Sequence, residues 1–151
     1  MIESSDEAAF ASRAVASLKK AGMRITRPRM DVVEALESCE KAVSAYELHE
    51  LVISRGGRID VVSVYRILAV LRELGLVHYI GALDGFLACR LPHDHELHTM
   101  HLVCGSCHRV KEVSLPDEVA GEVVQGGEGQ GFKQGKVRLE VLAESCTDCA
   151  E

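Results

Sequence analysis

Apolar positions recur first at helical spacing and later at strand spacing. From Asp6 to Ala21, Phe10, Val15 and Leu18 stand among alanines and charges, a pattern that predicts a helix closed by Gly22. Thr26, with Pro28 two positions on, predicts the start of a second helix whose apolar face is Val32, Val33 and Leu36. Ser44 followed by Glu47 has capping-box spacing and predicts a third helix containing Leu48, Leu51 and Val52, broken by Gly56 and Gly57. Between Ile59 and Gly75, Val64, Leu68 and Leu71 are spaced by four and three, with Ile67 and Leu74 beside them. This predicts a fourth helix buried on one side, with Ser63, Tyr65, Arg66 and Arg72 partly available on the other.

The segments LVHYI and FLACR read as two short strands around a turn at Asp84 and Gly85. Three helices followed by such a hairpin form a winged-helix arrangement, in which the helix before the wing can enter a DNA major groove. A small helical domain with an incidental hairpin fits the same pattern. Beyond Leu91 the character changes: Pro92 and the histidine-rich stretch to Thr99 read as a linker or metal-bearing loop. Strands are expected at His101 to Cys104 and Val110 to Val113, then a helix from Pro116 to about Val124 and a flexible GGEGQG loop from Gly126 to Gly131. Val137, Leu139, Val141 and Ala143 alternate with more polar positions and predict a last strand with one buried face. The expected class is α+β: residues 1–90 a winged helix, residues 91–151 a small α/β domain for dimerisation and metal binding. So short a second segment is weak alone, and dimer formation and a structural metal are the expected compensations.

Composition narrows the function. The 151 residues are 47% apolar but only 4% aromatic, without Trp, which argues against an aromatic stacking platform or cage. No apolar run approaches the roughly 20 residues of a membrane span. The acidic Met1 to Glu7 stretch does not look like a secretory signal, so the expected location is the cytoplasm. Charge is uneven: residues 1–90 carry 12 basic and 12 acidic side chains, residues 91–151 carry 5 and 11. Arg13, Lys19, Lys20, Arg24, Arg27 and Arg29 occur in one acid-free stretch, either a solvated helix face or a local patch that attracts phosphate despite the net charge of -6.

Cysteine spacing carries the clearest chemistry. Cys104 and Cys107 form CGSC, and Cys146 and Cys149 form CTDC. Each pair can aim two thiolates at one point, and four thiolates close a tetrahedral zinc site without leaving a position for substrate. Two disulfides or a redox dithiol compete with that reading, but structural disulfides are uncommon in a reducing compartment. A second constellation mixes donor types: His78 and Cys89 at the predicted hairpin, His93, Asp94, His95, Glu96, His98 and His101 in or after the loop, and Glu112 on the following strand. One thiolate with imidazoles and a carboxylate suits zinc, although cobalt or nickel could occupy it. Cys89 as a core thiol and His78 as an ordinary histidine are the competing readings.

Together RITRPRM, VSAYELHELV, VVSVYRILAVLRELGLV, HLVCGSCHRVKEV and the terminal CTDC resemble the ferric uptake regulator family of metal-dependent bacterial repressors, most nearly its zinc uptake regulator branch. The resemblance spans nearly the whole chain. It implies an N-terminal winged-helix DNA-binding domain and a C-terminal dimerisation domain. It places Tyr65 and Arg66 on the recognition helix, Tyr46 on the preceding helix within reach of DNA, and structural zinc on Cys104, Cys107, Cys146 and Cys149. A sensory zinc would use His78, Cys89, Glu112 and one of His95, His98 or His101. Arg66 is then expected at a base edge, Tyr65 at a thymine methyl or phosphate, and Arg24, Arg27 and Arg29 along the backbone.

Some positions depart from the family pattern. Lys41 to Val43 read KAV where iron- and peroxide-sensing branches carry a histidine, and the usual HxH before the first CxxC reads Thr99, Met100, His101. The late histidine of an additional site is also absent. The implied function is a homodimeric zinc-responsive repressor of zinc uptake or homeostasis genes, acting on inverted-repeat operator DNA without a membrane partner. The alternatives are a repressor sensing iron or another metal, and a metal buffer that binds no DNA. A zinc hydrolase is disfavoured because the sequence has neither HExxH nor a nucleophile and base set.

Overall fold

A computed structural model describes residues 9–91, 98–133 and 135–149 of the chain. It divides into two compact units, Met1–Pro92 and His93–Glu151. No helix among the described residues is long and apolar enough to cross a membrane.

The first unit contains helices α1 (Phe10–Lys20), α2 (Arg27–Glu37), α3 (Ala45–Ser54) and α4 (Val61–Glu73), then strands β1 (Val77–Ile80) and β2 (Gly85–Ala88). The part of the expected first helix from Asp6 to Ala8 lies outside the described residues. Each later helix is started by a side-chain acceptor. Thr26 accepts from the Arg29 N–H at 3.4 Å, and Ser44 and Glu47 form a reciprocal capping box at 3.1 and 3.4 Å. Asp60 accepts from the Ser63 N–H at 2.7 Å, a bond that holds its carboxyl below the usual carboxylate range. The end of α4 is equally well defined. Gly75 takes φ +72°, its N–H reaches the Arg72 carbonyl, and the Leu76 N–H reaches the Leu71 carbonyl, so the helix stops in a Schellman motif.

A core shared by all four helices and the hairpin lies in this unit. Phe10 and Ala14 of α1, Val33 and Leu36 of α2, Leu48 and Val52 of α3, and Val64, Leu68 and Leu71 of α4 bury together with Leu76, Val77 and Ala88 from the hairpin. Each fully buried Leu, Val or Phe contributes about 1.5–3 kcal/mol relative to exposure, which is what holds short helices in register. The turn differs from expectation. Gly81–Leu83 form a single 3-10 turn, Asp84 itself adopts the left-handed conformation (φ 47°), and Gly85 already belongs to β2. Gly85 serves a close approach instead: a Cβ there would lie 3.1 Å from Ala42 and Val43, where Val43 and Phe86 bridge by hydrogen bonds in both directions. The segment before α3 is thereby sewn to the wing.

The second unit contains β3 (Thr99–Cys104), β4 (Val110–Ser114), α5 (Asp117–Gly129) and β5 (Arg138–Ala143), with sheet order β4-β3-β5. β3 pairs antiparallel with β4 and parallel with β5. Two expectations are corrected. The helix does not end near Val124 with a glycine loop beyond it; α5 continues through Gly126 and Gly127. Glycine costs about 1 kcal/mol in a helix, but a started helix gains one backbone bond per added residue. What stops it is Gly131 at φ +86°, with the Gly131 N–H on the Glu128 carbonyl and the Phe132 N–H on the Gly127 carbonyl. Nor is one face of the last strand buried along its length. Val137, just before β5, is buried against Leu115 and Ala120, and Leu139 is half-buried, yet Val141 is 43% and Leu142 68% exposed. β5 is an edge strand, and only its start lies in the small core with α5.

Candidate functional site

β3 ends at Cys104, and a tight turn puts Cys107 back beside it: the His108 N–H bonds the Cys104 carbonyl and the Cys104 N–H bonds the Arg109 carbonyl, both at 2.9 Å. β5 runs parallel to β3 and delivers the second knuckle to the same end. The Gly105 N–H reaches the Ala143 carbonyl at 2.7 Å and Ser106 Oγ reaches the Glu144 carbonyl at 2.8 Å. The Sγ atoms then form a compact group, with Cys104 to Cys149 at 3.6 Å, Cys107 to Cys146 at 3.7 Å and Cys146 to Cys149 at 3.6 Å. Four sulfurs about 2.3 Å from a tetrahedral zinc would stand about 3.8 Å apart, so the donor set fits that ion. None of the six cysteines is in a disulfide.

Electrostatics point the same way. The Cys107 N–H, donating to Cys104 Sγ, holds the Cys104 thiol down to about 6, assisted by the Ser106 N–H and opposed by burial. Cys149 is pushed up to about 11: the Cys146 backbone bond favours its thiolate, but bonding with the Cys104 and Cys146 thiols outweighs that. Four crowded sulfurs cannot all ionise without a cation among them, and a divalent ion supplies it. Sequence reasoning missed the brace across this cluster. Arg109 pairs with Asp148, joining the residue two after Cys107 to the residue before Cys149. A basic residue just after one knuckle and an acidic residue inside the other were the available signal.

The mixed donors divide between the units. In the first, the register pairs His78 with Leu87, and the Cys89 N–H bonds the Leu76 carbonyl at 2.8 Å just beyond β2. His78 and Cys89 are therefore diagonal neighbours on one hairpin face, not direct partners, and their donor atoms lie within 4.8 Å of each other. Both are buried. In the second unit Glu112, His101 and Glu140 stand abreast on β4, β3 and β5, with His101 Nε2 3.9 Å from Glu112 Oε1. His98 is engaged otherwise: its Nδ1 accepts the Val137 N–H at 2.9 Å and so helps dock the start of β5. His95, with His93, Asp94 and Glu96, lies outside the described residues. The sixth cysteine, Cys39, joins neither group; burial pushes its thiol up, and it bonds the Ala35 carbonyl at 3.2 Å.

The expected DNA contacts are spread over α2 and the segment before it, α3 and α4. Tyr46 of α3 and Tyr65 of α4 are 63% and 46% exposed and meet edge to face with centroids 6.4 Å apart. Arg66 is exposed next to Tyr65. A groove of about 590 Å³ joins it to Arg24, Arg29, Thr26 and Ser63. Arg29 donates to the Arg24 carbonyl at 2.6 Å, and Arg27 pairs with Asp31 at 2.9 Å. Arg13, from the same basic stretch, is half-buried and turned toward the hairpin exit, away from that patch: its guanidinium donates to the Cys89 and Leu91 carbonyls.

The model of the ferric uptake regulator family matches residues 20–142. The chain belongs to the ferric uptake regulator family. The zinc uptake regulation protein of Mycobacterium tuberculosis is 33% identical over 132 residues, covering 87% of this chain and 98% of that protein. The ferric uptake regulation protein of Shigella flexneri is 35% identical over 99 residues, 65% of this chain and 66% of that protein. Among solved structures, holo XcZur is 29% identical with a TM-score of 0.78, covering 93% of this chain and 98% of its own. A zinc uptake regulator complexed with zinc and DNA has a TM-score of 0.81 at 24% identity, covering 92% and 91%, and attests the shared fold. As a member of this family of transcriptional regulators, the chain has an α+β fold: a winged helix followed by a dimerisation-type α/β unit.

Proposed function

We propose that this chain is a zinc-responsive transcriptional repressor that binds inverted-repeat operator DNA as a cytoplasmic homodimer and controls genes of zinc uptake or homeostasis. The observation that carries this reading is a pairing within one unit. The recognition-helix face exposes Tyr65 and Arg66, while the hairpin following α4 buries a soft donor pair, His78 and Cys89. Residues 1–90 act as the DNA-binding domain and residues 91–151 as the dimerisation and metal-binding domain. Cys104, Cys107, Cys146 and Cys149 hold structural zinc; His78, Cys89, Glu112 and a loop histidine form the sensory site. When bound there, zinc supplies a four-coordinate crosslink among thiolate, imidazole and carboxylate donors.

His98 is the weakest of the three loop candidates. Its Nδ1 already accepts a backbone proton, so its Nε2 carries the hydrogen that a metal would have to displace, leaving His95 and His101 favoured. The exposed ends of β5, Val141 and Leu142, fit burial against a second copy. In each subunit Arg66 reads a base edge, Tyr65 and Tyr46 line the groove, and Arg24, Arg27 and Arg29 face phosphates. Donors from separate segments fix the chain in one geometry, which raises the population competent for two half-sites at once. The test is binding of the full-length protein, structural zinc retained, to a duplex selected from a random pool. Zinc should strengthen it well above ferrous iron. Equal affinity with and without zinc overturns the zinc response, and selection of no specific duplex overturns the proposal in favour of a metal buffer.

A further inference from the structure

We propose that Arg13 is a positioning residue for the sensory metal site, holding the backbone that carries Cys89 and thereby setting zinc affinity. This rests on the reading of Cys89 as a sensory ligand, and it gives α1 a role apart from DNA contact. β2 ends at Ala88, and the Cys89 N–H continues the ladder to the Leu76 carbonyl. Beyond that point the exit segment turns carbonyls toward α1. The Arg13 guanidinium meets two of them, donating to the Cys89 carbonyl at 2.7 Å and the Leu91 carbonyl at 3.2 Å. One rigid planar fork on residues two apart fixes the intervening dihedrals, and charged donors make such bonds stronger than neutral ones.

The fork is itself held. Its carbon sits 5.8 Å from the centroid of Phe10, a fully buried core residue one helical turn earlier on α1. Between the two bound carbonyls, Arg90 reaches the other way and donates to the Glu37 and Cys39 carbonyls at 3.0 and 3.3 Å, past the end of α2. Residues 89–91 are thus clamped to α1 by one guanidinium and to α2 by another. The Cys89 sulfur lies 4.0 Å from the Leu91 carbonyl, the same oxygen that Arg13 holds. A ligand on a clamped backbone needs little ordering when it takes up metal; released, it must be ordered by the metal itself, and affinity falls.

The experiment compares wild type, R13A, R13K and C89S as full-length protein with structural zinc in place. Zinc is titrated against a fluorescent chelator, and the zinc-selected duplex is titrated at limiting and at saturating zinc. R13A should raise the zinc concentration for half-saturation roughly 10-fold or more, the scale seen for residues that support metal ligands. R13K, which keeps one charged donor, should fall between, and both should approach wild-type DNA affinity at saturating zinc. An unchanged zinc midpoint in R13A overturns the proposal. So does weaker DNA binding at saturating zinc with a salt slope reduced by about 1, the mark of a lost phosphate contact. If R13A does not fold, R13K decides on the same midpoint. Wild-type zinc uptake by C89S would remove the sensory-site reading itself; loss in C89S with a normal midpoint in R13A removes only the role of Arg13.

Discussion

The two units keep their shape by different means. The first buries large side chains from four helices and a hairpin in a shared core, with Leu36, Leu48, Leu68 and Leu71 almost wholly enclosed. The second has a small cluster of Leu115, Ala120 and Val137, flanked by Met100, Val124 and Leu139, and leaves Val141, Leu142 and Phe132 open. One is held by apolar burial distributed over many residues; the other gathers four thiols at one end of a sheet, where the proposed zinc would add what its core lacks. Loss tolerance should differ accordingly, since a distributed core gives way by degrees and a metal closure all at once.

The largest expected effect is therefore in the second unit. Cys104→Ser should abolish the tightly held zinc, and because metal binding in such sites is worth roughly 10–16 kcal/mol, the second unit should unfold. Limited proteolysis should degrade residues beyond 98 while a helical fragment near residues 9–91 survives. Loss of both units together would show that the first borrows its stability. Next in size, Leu68→Ala should destabilise the first unit by about 2–5 kcal/mol, read by denaturant unfolding, with zinc content unchanged. Smaller again, Gly131→Ala forces a side chain into the left-handed region and should cost about 1–2 kcal/mol in the second unit alone. A zinc-loaded protein that absorbs this change without a shift in midpoint would mean that the thiolate closure, and not the helix end, sets that unit's stability.

The helices of the first unit were legible because their signals are local: a capping box, a proline in a first turn, a glycine past the ends of α1, α3 and α4. The four-thiolate cluster was legible for another reason, that two CxxC pairs have few other uses in a reducing setting. Spacing could not say where α5 stops, since Gly126 and Gly131 look alike and only the second takes φ +86°. Nor could alternation show that β5 lies at an edge, because sheet order is decided by partners distant in sequence. The pairing of His78 with Leu87, which sets Cys89 diagonally across, depends on a turn in which Asp84 is left-handed and Gly85 already belongs to the strand. Arg13 sat unremarked in a basic stretch; nothing in its neighbours announces that it reaches residues 76 and 78 positions away.

The joining of β3 to a parallel β5 has a consequence for biosynthesis. A ribosome releases Cys104 and Cys107 first, and their partners follow only after Cys149 has cleared, 45 positions beyond Cys104. At about 5–20 residues per second that interval lasts on the order of seconds. The first unit can finish folding on the nascent chain during that time, while the early knuckle waits for its partner thiols. With zinc on the four thiols as proposed, the order of synthesis would make closure of the second unit the last step of its folding and the one that calls for the ion.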